Sequence, residues 1–433
     1  MNYPVQTSSW TRWAAAWLVF ASLFAAVRLH AGAPRFSDPA QDVNRVIELL
    51  DRRLDLMPEI AAWKRQHQQP VTDLERERLV LQQSVAEAGA IHLEPEAARA
   101  FFHVQILMAR AVQENLLERW QSGGPPPPVA RDLAKVLRPQ LDAIGRDLLS
   151  GVYLATAALA EAGEPELIRR VARLSRHPGI TGDHIAQLAR ALAAMRITAA
   201  PTLAVLRRVG YLRVGTTGDY APFSSDAGGE LRGLDVVLAE SLANEWGVTP
   251  VFVRTTWPTL MADLQQRRFD LAASGISVTP ERSRLADFSV PYHVDGKTPI
   301  ARRAEVARFS SLEKIDQPGV RIVVNPGGTN ERFVREHIKR AVIVVHPDNR
   351  TIFDEIIARR ADVMITDAIE VRLQERHHPE LAGTMSTPLT QAGKAILITS
   401  GSELTAQTNA WLEPRVRRGE IADQMEKALA EAK

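Results

Sequence analysis

The chain has no cysteine. That excludes disulfide staples and any Cys-based zinc site, and leaves the redox character of its compartment open. It has little net charge, +2 over 433 residues, so nothing in it reads as the basic footprint of a nucleic-acid partner. After residue 27 it also lacks any run apolar enough to span a bilayer, and it shows no internal repeat. What is present is a chain that is 45% hydrophobic, able to bury real cores and long enough for two or more domains.

The first residues read differently from the rest. Arg12 precedes an apolar run from Trp13 to Val27, and Ala31-Gly32-Ala33 offers small residues in an A-x-A arrangement. This pattern is that of a secretory leader over residues 1–33, cleaved in the mature protein. An uncleaved anchor is the alternative, but the run is shorter than the ~20 residues a spanning helix needs. The expectation is an exported, periplasmic protein with no membrane contact once the leader is removed.

Residues 34–200 predict an all-α bundle. Asp38-Pro39 reads as an N-cap followed by Pro at the first helical position. Val43, Val46, Ile47, Leu50, Leu54, Met57, Ile60 and Ala61 then recur at helical spacing. Thr72 to Glu75 suggests a capping box for a second helix, and a third spans about Pro95 to Trp120. Four prolines from Pro125 to Pro128 break the pattern before helices resume. Residues 201–433 change grammar: short β-rich runs such as "VRIVVN", "ADVMITD" and "KAILIT" alternate with helical stretches. That alternation predicts mostly parallel sheets covered by helices. The fold class expected is multidomain, an all-α bundle followed by a two-lobed α/β domain.

The helical part carries a set of polar residues at helical spacing. Arg53 and Lys64 are eleven residues apart, nearly three full turns. Asp73, Arg76 and Glu77 follow, and Arg110 and Gln113 lie one turn apart inside an apolar helix, where a charge is costly unless paired or used. Taken singly, each is a solvated charge at a helix edge. Together, "RRLDLMPEIAAWK" (Arg52 to Lys64), "DLERE" (Asp73 to Glu77) and "QILMARAVQ" (Gln105 to Gln113) resemble the secreted, all-helical chorismate mutases. The resemblance implies that Arg53 and Arg76 bind carboxylates of chorismate and that Lys64 and Gln113 donate to the ether oxygen. Asp73 or Glu77 would orient the hydroxyl or hold the arginines. It implies a lesser role for Arg110 and a fourth-helix arginine, Arg146 or Arg138. A Claisen rearrangement needs no nucleophile, acid, metal or cofactor, only a held conformer and fixed donors to the developing negative charge.

In the mixed part, "LRVGTTGDYAPFS" (Leu212 to Ser224) and "FDLAASGISVTPERSRLADFSVPY" (Phe269 to Tyr292) resemble periplasmic amino-acid-binding proteins. This implies two lobes with a ligand between them. Ser277 and Arg282 would grip a carboxylate, as a bidentate guanidinium does well. The turn "VNPGGTNE", with Asn325, Thr329 and Asn330, would offer helix N-terminal N–H groups to the same ligand. Asp367 would face the ligand's ammonium. Glu370, one helical turn on, is an acid that a plain binding protein does not need.

That Glu370, "TTWPTLM" with Trp257, "DGKTPI" with Lys297, and "VNPGGTNE" together resemble the exported cyclohexadienyl dehydratases. The resemblance implies prephenate dehydration with decarboxylation, with Glu370 as the general acid and Lys297 as the second carboxylate-binding cation. Asp219 and Asp367 stand as further candidate acids. The small-molecule substrates implied are chorismate and prephenate, and association into homo-oligomers is expected from such relatives. The rival expectation is a receptor or transport component fused to a helical module, which binds without turnover.

Overall fold

The computed structural model of the protein describes residues 33–432; apart from Ala33, the leader-like segment lies outside the described residues. No helix among the described residues is long and apolar enough to cross a membrane.

Helix α1 (Pro39–Asp55) begins where Asp38 accepts the Ala40 amide at 2.9 Å. The helical pattern that continues through Lys64 in sequence is interrupted after Asp55. Pro58 brings no N–H and its ring crowds the turn before it, so a second helix, α2 (Met57–Gln66), restarts there. In α3 (Leu74–Gly89) the cap is Asp73, which accepts the Arg76 amide at 3.0 Å. That is one residue later than the Thr72 start the pattern suggests. α4 (Pro95–Gln121), α5 (Arg138–Val171) and α6 (Gly182–Ala193) complete the bundle. α5 bends at Gly163, φ +67°, with Pro165 beside it. The apolar faces of α1, α4 and α5, including Val46, Phe101 and Val152, close one core.

That core continues past residue 200. Val205 and Val209 of α7 (Leu203–Val209) are part of it, and Pro34–Lys433 form one compact unit. Residues 34–37 also leave the bundle: Phe36 bridges Phe252 in parallel, and the Ser37 amide donates to the Phe252 carbonyl at 2.8 Å.

The strands that follow are β1 (Tyr211–Thr216), β2 (Asp219–Tyr220), β3 (Ser224–Ala227), β4 (Glu230–Arg232), β5 (Thr249–Arg254), β6 (Leu271–Ala272), β7 (Ala286–Phe288), β8 (His293–Asp295), β9 (Lys297–Arg302), β10 (Arg321–Val324), β11 (Val342–Val345), β12 (Val363–Asp367), β13 (Leu381–Gly383), β14 (Ala392–Lys394) and β15 (Leu397–Thr399). One lobe is built on the sheet β5-β1-β6-β15-β7, the other on β11-β10-β12-β9-β13. The sheets are mixed rather than mostly parallel. β5-β1-β6 and β11-β10-β12 are parallel, as helical crossovers require. β9 and β15, which enter a lobe directly from the other, pair antiparallel. Where the chain crosses between lobes, β8 and β14 pair antiparallel, Val294 opposite Gly393.

The bundle is fastened to the first lobe where Tyr153 of α5 meets a buried ion pair of that lobe. Arg213 on β1 donates to Asp270 at 2.6 Å, and both are essentially unexposed. Tyr153 of α5 donates its hydroxyl to the same carboxylate at 3.1 Å, and its ring lies under the Arg213 guanidinium, 4.6 Å from centroid. Removing one member of such a pair leaves the other charged and buried. Asp270→Ala should therefore lower stability by about 3–5 kcal/mol, measured by urea unfolding of the full chain. A loss under 1 kcal/mol would contradict this account of the junction.

Candidate active site

Two lobes meet over a narrow cleft, about 320 Å³ of free space when the open solvent at its mouth is included. From the first lobe, Gly275 follows β6 with φ +63°. A Cβ there would come within 2.5 Å of the Phe223 ring and 2.8 Å of Tyr220, so only glycine permits the turn. The Gly275 amide donates to Asp235 at 2.6 Å, and Tyr292 donates to the same carboxylate at 2.7 Å. Burial raises the Asp235 carboxyl to about 6 despite these donors. The held turn presents Ser277 and, from the following short helix, Arg282 to the cleft.

Arg282 lies in the expected place. It is buried, and its Nη1 donates to the Ser277 carbonyl at 3.0 Å. Among the described residues no carboxylate pairs with it: Glu281 is taken by Arg332 at 2.8 Å. Burial, then repulsion from Arg332, push its guanidinium down to about 10. A cation held this way has its interaction with an anion still to be made.

From the second lobe comes the turn after β10. The helix Thr329–His337 starts at Gly328, and its first N–H groups have no carbonyl one turn back. Gly327, φ +79°, lies so close to the other lobe that a Cβ would meet the Pro258 nitrogen at 2.6 Å. Its own N–H is used internally, donating to Glu331 at 2.7 Å. Asn325 is buried in the same wall, and its Oδ1 has no partner among the described residues. Across the cleft mouth, Arg332 on Glu281 and the Asn349 amide on the Asp219 carbonyl (2.9 Å) tie the lobes together.

The floor of the cleft departs from expectation. Asp367 is not open to a ligand's ammonium. Lys297 reaches it at 2.7 Å and Lys394 at 2.5 Å, and the Tyr220 hydroxyl donates to it as well. Burial by itself would raise the Asp367 carboxyl; the two ammonium groups prevail and hold it well below the usual carboxylate range. Lys297 is thus not a free second cation. Its three donors go to Asp367, Thr329 and Asn330, because β9 pairs with β12 in a register that sets Lys297 opposite Asp367. Lys394, at the end of β14, lines the cleft in its place, donating also to Ser277 Oγ at 3.0 Å. Lys394, Tyr220 and Asn349 were not singled out by sequence. A lysine directly opening the apolar strand "AILIT" was the available signal for the first.

Glu370 is turned inward, directly behind the residues that line the cleft. It is buried, and its Oε2 takes the Thr366 hydroxyl. Burial first, and the Asp367 charge as a further contribution, raise its carboxyl to about 8, while the Thr366 bond and the lysines act in the opposite direction. Asp219 also lies off the cleft lining, accepting from Trp257 Nε1 at 3.1 Å; Trp257 itself forms part of the lining. Burial raises Asp219 as well.

A second group of polar atoms gathers in the bundle. Lys64 donates to the Val71 carbonyl at 2.9 Å. Burial lowers its ammonium against the nearby charges of Glu77 and Asp73, and Arg138 adds to the lowering. Glu77 pairs with Arg110. Gln113 donates to the Ala109 carbonyl at 3.0 Å and lies against Met57 Sδ at 3.5 Å, one turn from Arg53. Arg53 is desolvated, with Asp142 as its compensating charge. Among the described residues, Arg53 Nε, Arg110 Nε and Gln113 Oε1 are buried without a partner, a concentration of unmet polar atoms that folded cores do not ordinarily tolerate. Two expected residues stand apart. Arg76 is exposed at the start of α3. Arg146 and Arg138 are both exposed, two turns apart on α5, and of the two it is the Arg138 charge that acts on Lys64. Asp73 is chiefly a helix cap.

The model of bacterial extracellular solute-binding proteins, family 3, matches residues 212–433. The chain belongs to that family. The chorismate mutase type II model matches residues 44–114, the segment that holds Arg53, Lys64, Glu77, Arg110 and Gln113. A relative named cyclohexadienyl dehydratase, from Pseudomonas aeruginosa, is 48% identical over 249 residues, 55% of this chain and 92% of the relative. An arginine-binding extracellular protein of Bacillus subtilis is 28% identical over 214 residues, 48% of this chain and 82% of the relative. Among solved structures, an amino acid transporter substrate-binding protein of Streptococcus pneumoniae matches with TM-score 0.50 and 24% identity. It covers 53% of this chain and 97% of that one, and shows the two-lobed fold alone.

Proposed function

We propose that the chain is a bifunctional exported enzyme of phenylalanine biosynthesis. The helical part, residues 34–200, rearranges chorismate to prephenate. The two-lobed part, residues 201–433, converts prephenate to phenylpyruvate. The observation that carries the second step is Glu370: a buried carboxyl raised to about 8 beside a cleft that holds an unpaired Arg282.

In the first step the substrate's carboxylates meet Arg53 and Arg138, and Lys64 and Gln113 donate to the ether oxygen as its C–O bond breaks. The unmet N–H groups of Arg53 and Arg110 support this placement; Gln113 would have to release its Ala109 or Met57 contact to donate. In the second step Arg282, Ser277 and the N–H groups at Gly328–Thr329 hold a carboxylate, and Lys394 adds positive potential. Glu370 protonates the departing ring hydroxyl, which leaves as water. The ring carboxylate departs as CO₂, its bonding electrons completing the aromatic ring. Glu370 regains its proton from solvent. The mature protein is periplasmic, its leader removed.

The test is to feed chorismate to the purified protein and follow prephenate and phenylpyruvate. Prephenate should rise and then fall as phenylpyruvate accumulates. Binding of prephenate without turnover would favour the receptor reading. Arg282→Ala should raise KM for prephenate by about 10–100-fold, the equivalent of one lost charged hydrogen bond, with the chorismate reaction unchanged. An unaltered KM would remove Arg282 from the site.

A further inference from the structure

We propose that Thr366 is a positioning residue which decides which oxygen of Glu370 carries the proton. The inference rests on the dehydration reading above and goes one layer deeper into the wall.

The argument begins at Lys297. An ammonium only donates, and Lys297 Nζ meets one end of the Asn330 side-chain amide. That end must be the carbonyl oxygen. The amide nitrogen is then turned away from Lys297, and it lies 3.0 Å from Thr366 Oγ1. The Thr366 hydroxyl has one proton and two lone pairs. Asn330 occupies a lone pair, so the proton is free to go to Glu370 Oε2, the contact the structure shows. Thr366 is wholly buried, and no bulk water competes for these positions. The chain of donors therefore runs one way, from Lys297 through Asn330 and Thr366 to Glu370.

An oxygen that accepts from Thr366 is the carbonyl oxygen of a neutral carboxylic acid. The acidic hydrogen is thereby assigned to Oε1, the oxygen this wall does not engage. A carboxyl free to rotate would present either oxygen, and only one arrangement would be ready to protonate a departing hydroxyl. Thr366 and Glu370 are four residues apart, at the end of β12 and in the first turn of the helix Ala368–His377, so the strand-to-helix junction itself sets the distance. The charges around Glu370 come from several elements: Asp367 on β12, Lys297 on β9, Lys394 on β14, and Asp295 on β8, whose carboxylate takes the Ile369 amide at 3.2 Å. The Tyr220 hydroxyl lies in the same field.

The experiment compares Thr366→Val and Thr366→Ser with wild type in the full chain, using prephenate and measuring kcat and KM across pH. Thr366→Val keeps the shape and removes the hydroxyl. It should lower kcat by about 10–100-fold, the scale of a misplaced reacting group, with KM within a few-fold of wild type. It should also move the alkaline limb of the kcat profile to higher pH, because a lost donor to the carboxylate favours its protonated form. Thr366→Ser should restore most of kcat and return the limb to its wild-type position. The proposal is overturned if Thr366→Val turns over at the wild-type rate with an unmoved limb. It is equally overturned if Thr366→Ser falls as far as Thr366→Val. A wild type that does not consume prephenate would instead sink the dehydration reading, which keeps the two failures distinct.

Discussion

Glu370→Gln should leave the protein folded and able to bind prephenate while lowering its dehydration by about 10²–10⁴-fold, the usual worth of a positioned general acid. Glutamine keeps the shape and still accepts from Thr366, but has no proton to deliver. Arg282, Ser277 and the Gly328–Thr329 turn are untouched, so KM should change little. Given chorismate, the variant should accumulate prephenate, since the bundle is unaltered. The wild-type pH profile follows from the same group. The acid must be protonated to act, and its carboxyl is raised to about 8. Dehydration should hold through neutral pH and fall as pH rises through about 8. A variant producing phenylpyruvate near the wild-type rate, with spontaneous acid conversion subtracted, would move the role elsewhere. Asp219 is the next candidate, as a buried acid that is also raised. Asp367 is not, because two lysines keep it ionised.

Lys64→Ala should reduce the chorismate rearrangement by about 2.7–4 kcal/mol of transition-state stabilisation, or roughly 10²–10³-fold, as for the loss of one fixed donor to a developing oxyanion. Lys64 suits this role because burial lowers its ammonium while Glu77 and Asp73 keep a compensating field around it. Prephenate supplied directly should still be dehydrated at the wild-type rate. A chorismate rate within threefold of wild type would show that the cluster of Arg53, Lys64 and Gln113 does not hold the substrate.

The outer parts of the two-lobed site were legible in sequence because they are local. Ser277 and Arg282 are five residues apart on one turn, and the "PGGTN" turn contains both the tight bend and the helix start. Asp367 and Glu370 likewise sit on one strand-to-helix junction. What local spacing does not show depends on pairing between distant segments. Lys297 reads as a free cation until the β9–β12 register sets it against Asp367. Lys394 is 117 residues from Ser277 and meets it only because the chain recrosses between lobes. In the bundle, a three-turn spacing of Arg53 and Lys64 holds only along one continuous helix, which Pro58 divides.

Hydrophobic periodicity and turn chemistry act over a few residues, so the sequence by itself determined the kinds of element and the change from an all-α part to an α/β part, while the two lobes followed from the motifs' resemblance to a family. Charge state was decided only by the tertiary structure. Asp367 and Glu370 are the same functional group three residues apart. One stands against two ammonium groups and stays ionised, while the other is desolvated beside that anion and holds its proton. Burial and opposite charge, which separate them, exist only once strands from across the chain have closed around the site.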